Sequence, residues 1–143
     1  MAIELKSLDQ LKTMRRAGLL VAQTLAQVRN AIKPGMTTSA LDAVAAANIK
    51  RGGGISNFFG YHGYPATICV SINDEIVHGI PGDRIINEGD IVSVDCGAEI
   101  DGWHGDSAFS IGVGKMDPED EKLMAICEED RKSTRLNSSH GAL

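Results

Sequence analysis

Apolar side chains recur at helical spacing over the first fifty residues and lose that period afterwards. Leu8, Leu11, Met14, Leu20 or Val21, Leu25, Val28 and Ile32 fall three and four apart, the spacing of one buried helix face. Ser7 or Asp9 can cap the start of this helix, and Lys33-Pro34-Gly35 stops it. A second helix is predicted from about Thr38 to Lys50, capped by a Thr or Ser and ended by Gly52-Gly53-Gly54. From Ile55 the chain is rich in glycine and aromatics, then β-like from Ala66 to Ile72. NDE reads as a turn, EIVHGIPG as a short strand entering a Pro-Gly loop, and NEGD as another turn. IVSVDCGAEI and WHGDSAFSIGVG read as two strands around Asp101-Gly102, a strong hairpin signal. Two helices followed by an antiparallel sheet place the chain in the α/β (α+β) class.

The C-terminal part follows a different grammar. DPEDEKLMAICEED begins a helix at Asp117-Pro118, with Leu123, Ile126 and Cys127 on one side. After Asp130 the apolar period stops with no capping glycine. The string DRKSTRLNSSH resembles one reading frame of a common short-read sequencing adapter. Residues 130–143 are therefore expected to be a disordered tail foreign to the native sequence.

Composition narrows the function classes. A chain of 143 residues with 43% hydrophobic residues can bury the core of one domain. A net charge of −5 argues against nucleic acid as the main partner, although it is compatible with a local basic patch. The start MAIELKSLDQ lacks the pattern of a signal peptide. No apolar run approaches the roughly eighteen residues of a membrane span. Cys69, Cys96 and Cys127 are odd in number and widely spaced, which fits a reducing cytoplasm better than a disulfide frame.

The chemistry centres on Asp95 and Asp106. A two-residue turn at Asp101-Gly102 makes Ile100 face Trp103, Asp95 face Ala108 and Asp106 face Gly97. Side chains alternate with period two, so both aspartates share a face as diagonal neighbours. A four-residue loop would set them directly opposite, and a three-residue loop would put them on different faces. Converging carboxylates either share a proton or hold something positive between them. Hard divalent cations are the commoner solution, and bridging carboxylates suit a metal pair about 3.5 to 4 Å apart. Spacing alone leaves open a turn-rich hairpin whose acids are unrelated. Glu99 is expected on the face opposite Asp106, and Asp101, Asp74, Glu75, Asp83 and Asp90 belong to turns. His78, His62 and His104 read by themselves as structural hydrogen-bonding residues. Phe58, Phe59, Tyr61 and Tyr64 surround Gly60 and Gly63 as either core packing or a pocket wall.

GYHGYPATICVSINDEIVHGIPG followed by GDIVSVDCGAEIDGWHGDSAFS strongly resembles the bacterial-type (type I) methionine aminopeptidases, from the first helix to about Cys127. The resemblance implies a pita-bread fold, two pseudo-symmetric αβ halves around a dinuclear metal site, with residues 1–129 matching the first half only. By position, Asp95 and Asp106 match two metal ligands, and His78 matches a histidine contacting substrate near the scissile bond. Tyr61, Tyr64 and Cys69 match residues lining the pocket for a methionine side chain, and Phe58 occupies a pocket position where some relatives carry Cys. The implied reaction is removal of the initiator methionine from nascent chains by two divalent ions (Mn, Fe, Co or Zn). It would take place in the cytoplasm, with transient ribosome contact. The family's remaining ligands, one histidine and two glutamates, have no match after Asp106, so the chain alone is expected to be inactive. A half-fold should also leave a sheet edge unpaired and an apolar face exposed, favouring self-association. Rival readings are a proline-specific aminopeptidase and a non-catalytic ribosome- or RNA-associated protein on the same fold. The GYHGYP and VHGIP context argues against the first, and retention of both aspartates against the second.

Overall fold

The computed structural model describes residues 5–138, with side chains to residue 134. Helix α1 spans Leu8–Ala31. Its start is a capping box: Gln10 N–H donates to Ser7 Oγ (3.3 Å) and Ser7 N–H to Gln10 Oε1 (2.7 Å). Ala17, Leu20, Val21, Thr24, Leu25 and Val28 form its buried stripe. Leu8 and Leu11, expected on that stripe, are 78% and 47% exposed; burial begins at Ala17, where the helix meets the sheet. Helix α2 spans Thr38–Arg51, with Thr37 accepting from the Ala40 amide (3.3 Å) and Gly52 closing the last turn. The two helices share a buried polar contact: Asn48 Nδ2 donates to Thr24 Oγ1 (2.8 Å), whose hydroxyl donates to the Leu20 carbonyl (2.8 Å). Every polar atom in that contact is satisfied, so burying it costs little.

Four strands form one antiparallel sheet: β1 Ile55–Ser56, β2 Cys69–Ile72, β3 Ile91–Ile100 and β4 Trp103–Gly112. β3 is central, with β4 on one side and β1 and β2 end to end on the other. Val92, Val94, Cys96, Ala98 and Ile100 of β3 are buried in the core formed with α1 and α2. The alternate residues, Ile91 to Glu99, point to the other face. At Gly105 of β4 a Cβ would lie 2.7 Å from Ala17 C and Gly18 N. Helix α1 thus rests its backbone directly on the strand there, and only glycine allows it. Asp101 (φ 52°) and Gly102 (φ 78°) are both left-handed, the geometry of a two-residue type I′ hairpin turn. Arg16 of α1 reaches over to pair with Asp101 at 2.8 Å.

The β2 region departs from the sequence reading. The strand is confined to Cys69–Ile72, because the Thr67 and Ile68 amides donate instead to Asp42 Oδ1 of α2 (2.7 and 2.9 Å). EIVHGIPG forms no strand; it runs as a strap beside β2, with His78 in the left-handed region at φ 61°. The outward amides along this edge have acceptors: Asp42 for Ile68, the Gly79 carbonyl for Val70 (2.9 Å) and Glu75 Oε2 for Ile72 (2.7 Å). This edge is therefore capped, and β4, paired only with β3 among the described residues, is the open one.

Helix α3 spans Pro118–Ser138, started by Asp117 Oδ1 accepting the Glu119 amide (2.8 Å). It continues through 130–138, where the loss of apolar period predicts disorder. Glu128 pairs with Arg131 (2.8 Å) and Lys132 (3.2 Å) one turn on, and such pairs support a helix that buries little. Leu123, Ile126 and Cys127 are exposed. Residues 139–143 of the expected tail lie outside the described residues. Among the described residues no helix is long and apolar enough to cross a membrane.

Candidate active site

The hairpin register follows the turn arithmetic: Asp95 pairs with Ala108 and Gly97 with Asp106. The two carboxylates therefore occupy one face, diagonally across β3 and β4, on the side away from the helix-packed core. On the other flank of β3, Cys69 pairs with Asp95. Three strands thus place Cys69, Asp95 and Ala108 in one row, with Asp106 one step along it.

The electrostatics of this row favour a cation. Burial pushes the Asp95 carboxyl above the usual range, and the Asp106 charge raises it further; the Cys96 amide and His78 act against this more weakly. Burial also raises the Cys69 thiol, helped by the charges of Asp95 and Asp106 and opposed by its hydrogen bond with Tyr64. Burial, that same bond and nearby acids hold the Tyr64 phenol well above its ordinary value. Negative charge is crowded here, and a positive ion between the carboxylates would relieve it.

Gly97 makes room for the arrangement. A Cβ at this position would fall 2.9 Å from Asp106 Oδ2, 2.9 Å from Phe58 Cε1 and 2.8 Å from Asn57 Nδ2. The Asp106 carboxylate and the Phe58 ring both lie over bare β3 backbone. Asn57 anchors this corner: its amide donates to the Gly97 carbonyl (3.0 Å), and its Oδ1 lies 3.0 Å from His104 Nδ1. His104 thus has the structural partner that its sequence reading expects.

His78 sits on the strap beside β2. A left-handed residue other than glycine is unfavourable by about 1–2 kcal/mol, so its neighbours must hold it. Gly79 N–H donates to Ser71 Oγ (3.0 Å), and the Gly79 carbonyl accepts from the Val70 amide (2.9 Å) and the Tyr64 hydroxyl (3.1 Å). A Cβ on Gly79 would collide with the Val70 carbonyl.

The structure brings together Asp95, Asp106, Cys69, Tyr64 and Phe58, with the His78 charge felt at Asp95. Phe58 and Tyr64 meet edge-on with centroids 6.4 Å apart. Tyr61 turns outward, edge-on to His62, and lines a shallow groove with Phe58, Glu99 and His104. Glu99 requires a correction. It pairs with His104 and lies on the same face as Asp106, because 95, 97 and 99 are successive odd positions of an unbroken ladder. Sequence reasoning missed Gly97, Asn57 and Ser71. Gly97 was legible in the register as the partner of Asp106; Asn57 and Ser71 carry no sequence signal.

Asp95 and Asp106 fit part of a divalent-metal site: both are hard oxygen donors on one face, and the backbone beneath Asp106 is cleared by Gly97. Among the described residues no third His, Cys, Asp or Glu joins them in a metal-binding group.

Residues 12–135 match the model of Metallopeptidase family M24. The chain belongs to this family. It is 47% identical over 124 residues to methionine aminopeptidase 1 of Bacillus subtilis, covering 87% of this chain and 50% of that protein. Crystal structures of the methionine aminopeptidases from Thermotoga maritima (37% identity) and Rickettsia prowazekii (33% identity) superpose with TM-scores of 0.86. Each alignment covers 90% of this chain and 52% of the other. The fold is the family's α+β pita-bread architecture over that stretch, and the chain spans about half the length of the curated relatives it matches.

Proposed function

We propose that the chain supplies one half of the active site of a metal-dependent methionine aminopeptidase, and that it is inactive by itself. The placement of Asp95 and Asp106 on one face of the β3–β4 hairpin, within an M24 chain, carries this reading. Asp95 and Asp106 would hold two divalent ions (Mn, Fe, Co or Zn) together with donors from outside the chain. When bound, such ions supply Lewis-acid polarisation of a carbonyl and a water acidic enough to ionise near neutral pH. The chain's own residues bind and orient. Phe58, Tyr64 and Cys69 offer an aromatic and sulfur surface suited to a thioether side chain, with Tyr61 at its outer rim. His78 donates to or accepts from the peptide beside the carboxylates. The substrate is the N-terminal methionine of nascent chains, met in the cytoplasm during transient contact with the ribosome. Residues 1–129 form the half-site, and 130–143 stand outside it.

The test is methionine release from a Met-Gly peptide with each of the four metals. The chain alone should give background release. The chain fused in frame to the remaining half of the Bacillus subtilis relative should release methionine, and Asp106→Asn should abolish it. Enzyme-like release by the chain alone would refute the half-site. A folded, metal-binding fusion that leaves the peptide intact would refute the aminopeptidase reading.

A further inference from the structure

The strap between Glu75 and Gly82 is tethered at both ends. Glu75 accepts from the Ile72 amide (2.7 Å) and from Arg84 (2.7 Å), while Gly82 exchanges hydrogen bonds with Thr38 (2.8 and 3.1 Å). Between these anchors its apolar side chains do not hold it down: Ile76 is 90% exposed, Val77 65% and Ile80 61%. Among the described residues, Gly79 is the one position in 76–81 with hydrogen bonds, and it has three. One comes from the Val70 amide of β2; the other two involve side-chain hydroxyls, Ser71 Oγ as acceptor and Tyr64 O–H as donor. Ser71 is buried and pairs with Ser93, so its backbone is fixed in the sheet. The same Tyr64 proton is shared with the Ile68 carbonyl (3.1 Å), tying the aromatic loop to the start of β2.

We propose that Ser71 and Tyr64 are positioning residues that set His78 against the carboxylate face by clamping the single peptide at Gly79. The hydroxyls grip the residue next to the left-handed one, so the His78 backbone cannot relax into an extended conformation without breaking the clamp. Burial of neighbouring side chains would otherwise do this work, but here they face solvent. The clamp also leaves the His78 ring unencumbered, since among the described residues no hydrogen bond of the strap uses it. The positioning role rests on the aminopeptidase reading; the clamp itself does not.

The experiment is nuclear magnetic resonance on the 143-residue chain, reading amide hydrogen exchange along the strap and the His78 ring signal, assigned through His78→Gln. Ser71→Ala should raise Gly79 exchange at least tenfold and move the His78 ring signal toward that of free histidine, leaving β3–β4 amides unchanged. Ser71→Thr should restore both. Tyr64→Phe should raise exchange at Val70 and Gly79 by a smaller factor and shift the same ring signal. If Ser71→Ala does not fold, Tyr64→Phe decides by these readouts. Unchanged Gly79 exchange and an unmoved His78 signal would overturn the inference, as would an equal loss of protection across the whole sheet. Failure of methionine release by the fusion, with the clamp signals intact, would sink the functional reading alone.

Discussion

Asp106 stands directly across the β3–β4 ladder from Gly97, and its Oδ2 lies 2.9 Å from where a Cβ on that glycine would be. The proposed metal-holding role requires this carboxylate to be aimed, and its aim depends on an atom missing from the partner strand. Gly97→Ala must push aside Asp106, Phe58 or Asn57. We expect a stability loss of about 1–3 kcal/mol, typical of overpacking, and Mn(II) binding at least about tenfold weaker, as when a ligand's support is removed. Urea unfolding and Mn(II) titration followed by electron paramagnetic resonance read the two effects. Unchanged Mn(II) affinity would mean that the carboxylate needs no cleared backbone.

Asp106→Asn removes half of the paired charge while keeping the shape. Mn(II) binding to the chain should weaken at least about tenfold, whereas the metal-free fold should be unaffected or slightly more stable, because repulsion on Asp95 is relieved. The same titration with calorimetric melting checks both. Weakened metal binding together with a collapsed fold would instead make Asp106 a structural residue.

Asp90 governs a pH dependence away from the site. Burial pushes its carboxyl up, but hydrogen bonds from the Asn87 amide (2.8 Å) and Asn73 Nδ2 (2.9 Å), with Arg84 nearby, outweigh burial and hold it below the usual range. A depressed folded value means stabilisation that is complete above the unfolded value and lost as pH falls through the folded one. Asp90→Ala should therefore cost about 1–3 kcal/mol at neutral pH. Its deficit should shrink once pH drops below about 4, the ordinary aspartate value. Urea midpoints for both proteins across this range give the comparison; a deficit that ignores pH would assign the loss to packing.

Two of the contacts between α1 and the hairpin should differ in weight. Arg16 and Asp101 are exposed by 61% and 67%, so Arg16→Ala should change stability by no more than about 0.5–1 kcal/mol. Gly105→Ala drives a Cβ into the Ala17–Gly18 backbone at 2.7 Å and should cost about 2–3 kcal/mol. Thermal melts of the two variants rank them; a reversed order would mean that the helix rides on its ion pair rather than on close backbone approach.

Much of the framework was legible along the chain. The caps at Ser7 and Thr37, the stop at Gly52 and the Asp101-Gly102 turn are local events, decided by residues within one turn of each other. The turn in particular fixed the register of Asp95 and Asp106, because alternation with period two leaves no freedom once the loop length is set. The readings that failed have separate causes. EIVHGIPG alternates too little to show that it runs beside β2 without joining it. Helix continuation past Asp130 comes from charged pairs one turn apart rather than from an apolar face.

By itself, then, the sequence determined the two N-terminal helices, the β3–β4 hairpin and its two carboxylates on one face. Local hydrogen bonding and side-chain alternation need no long-range partner. Only the tertiary structure decided that Cys69 lies abreast of Asp95, that Gly97 clears space for Asp106, and that Ser71 and Tyr64 grip Gly79 beside His78. Those relations arise where β2, the aromatic loop and the strap come together beside the β3–β4 hairpin. Lateral strand order and close backbone approach are set by how the layers pack, and no periodicity in the chain encodes them.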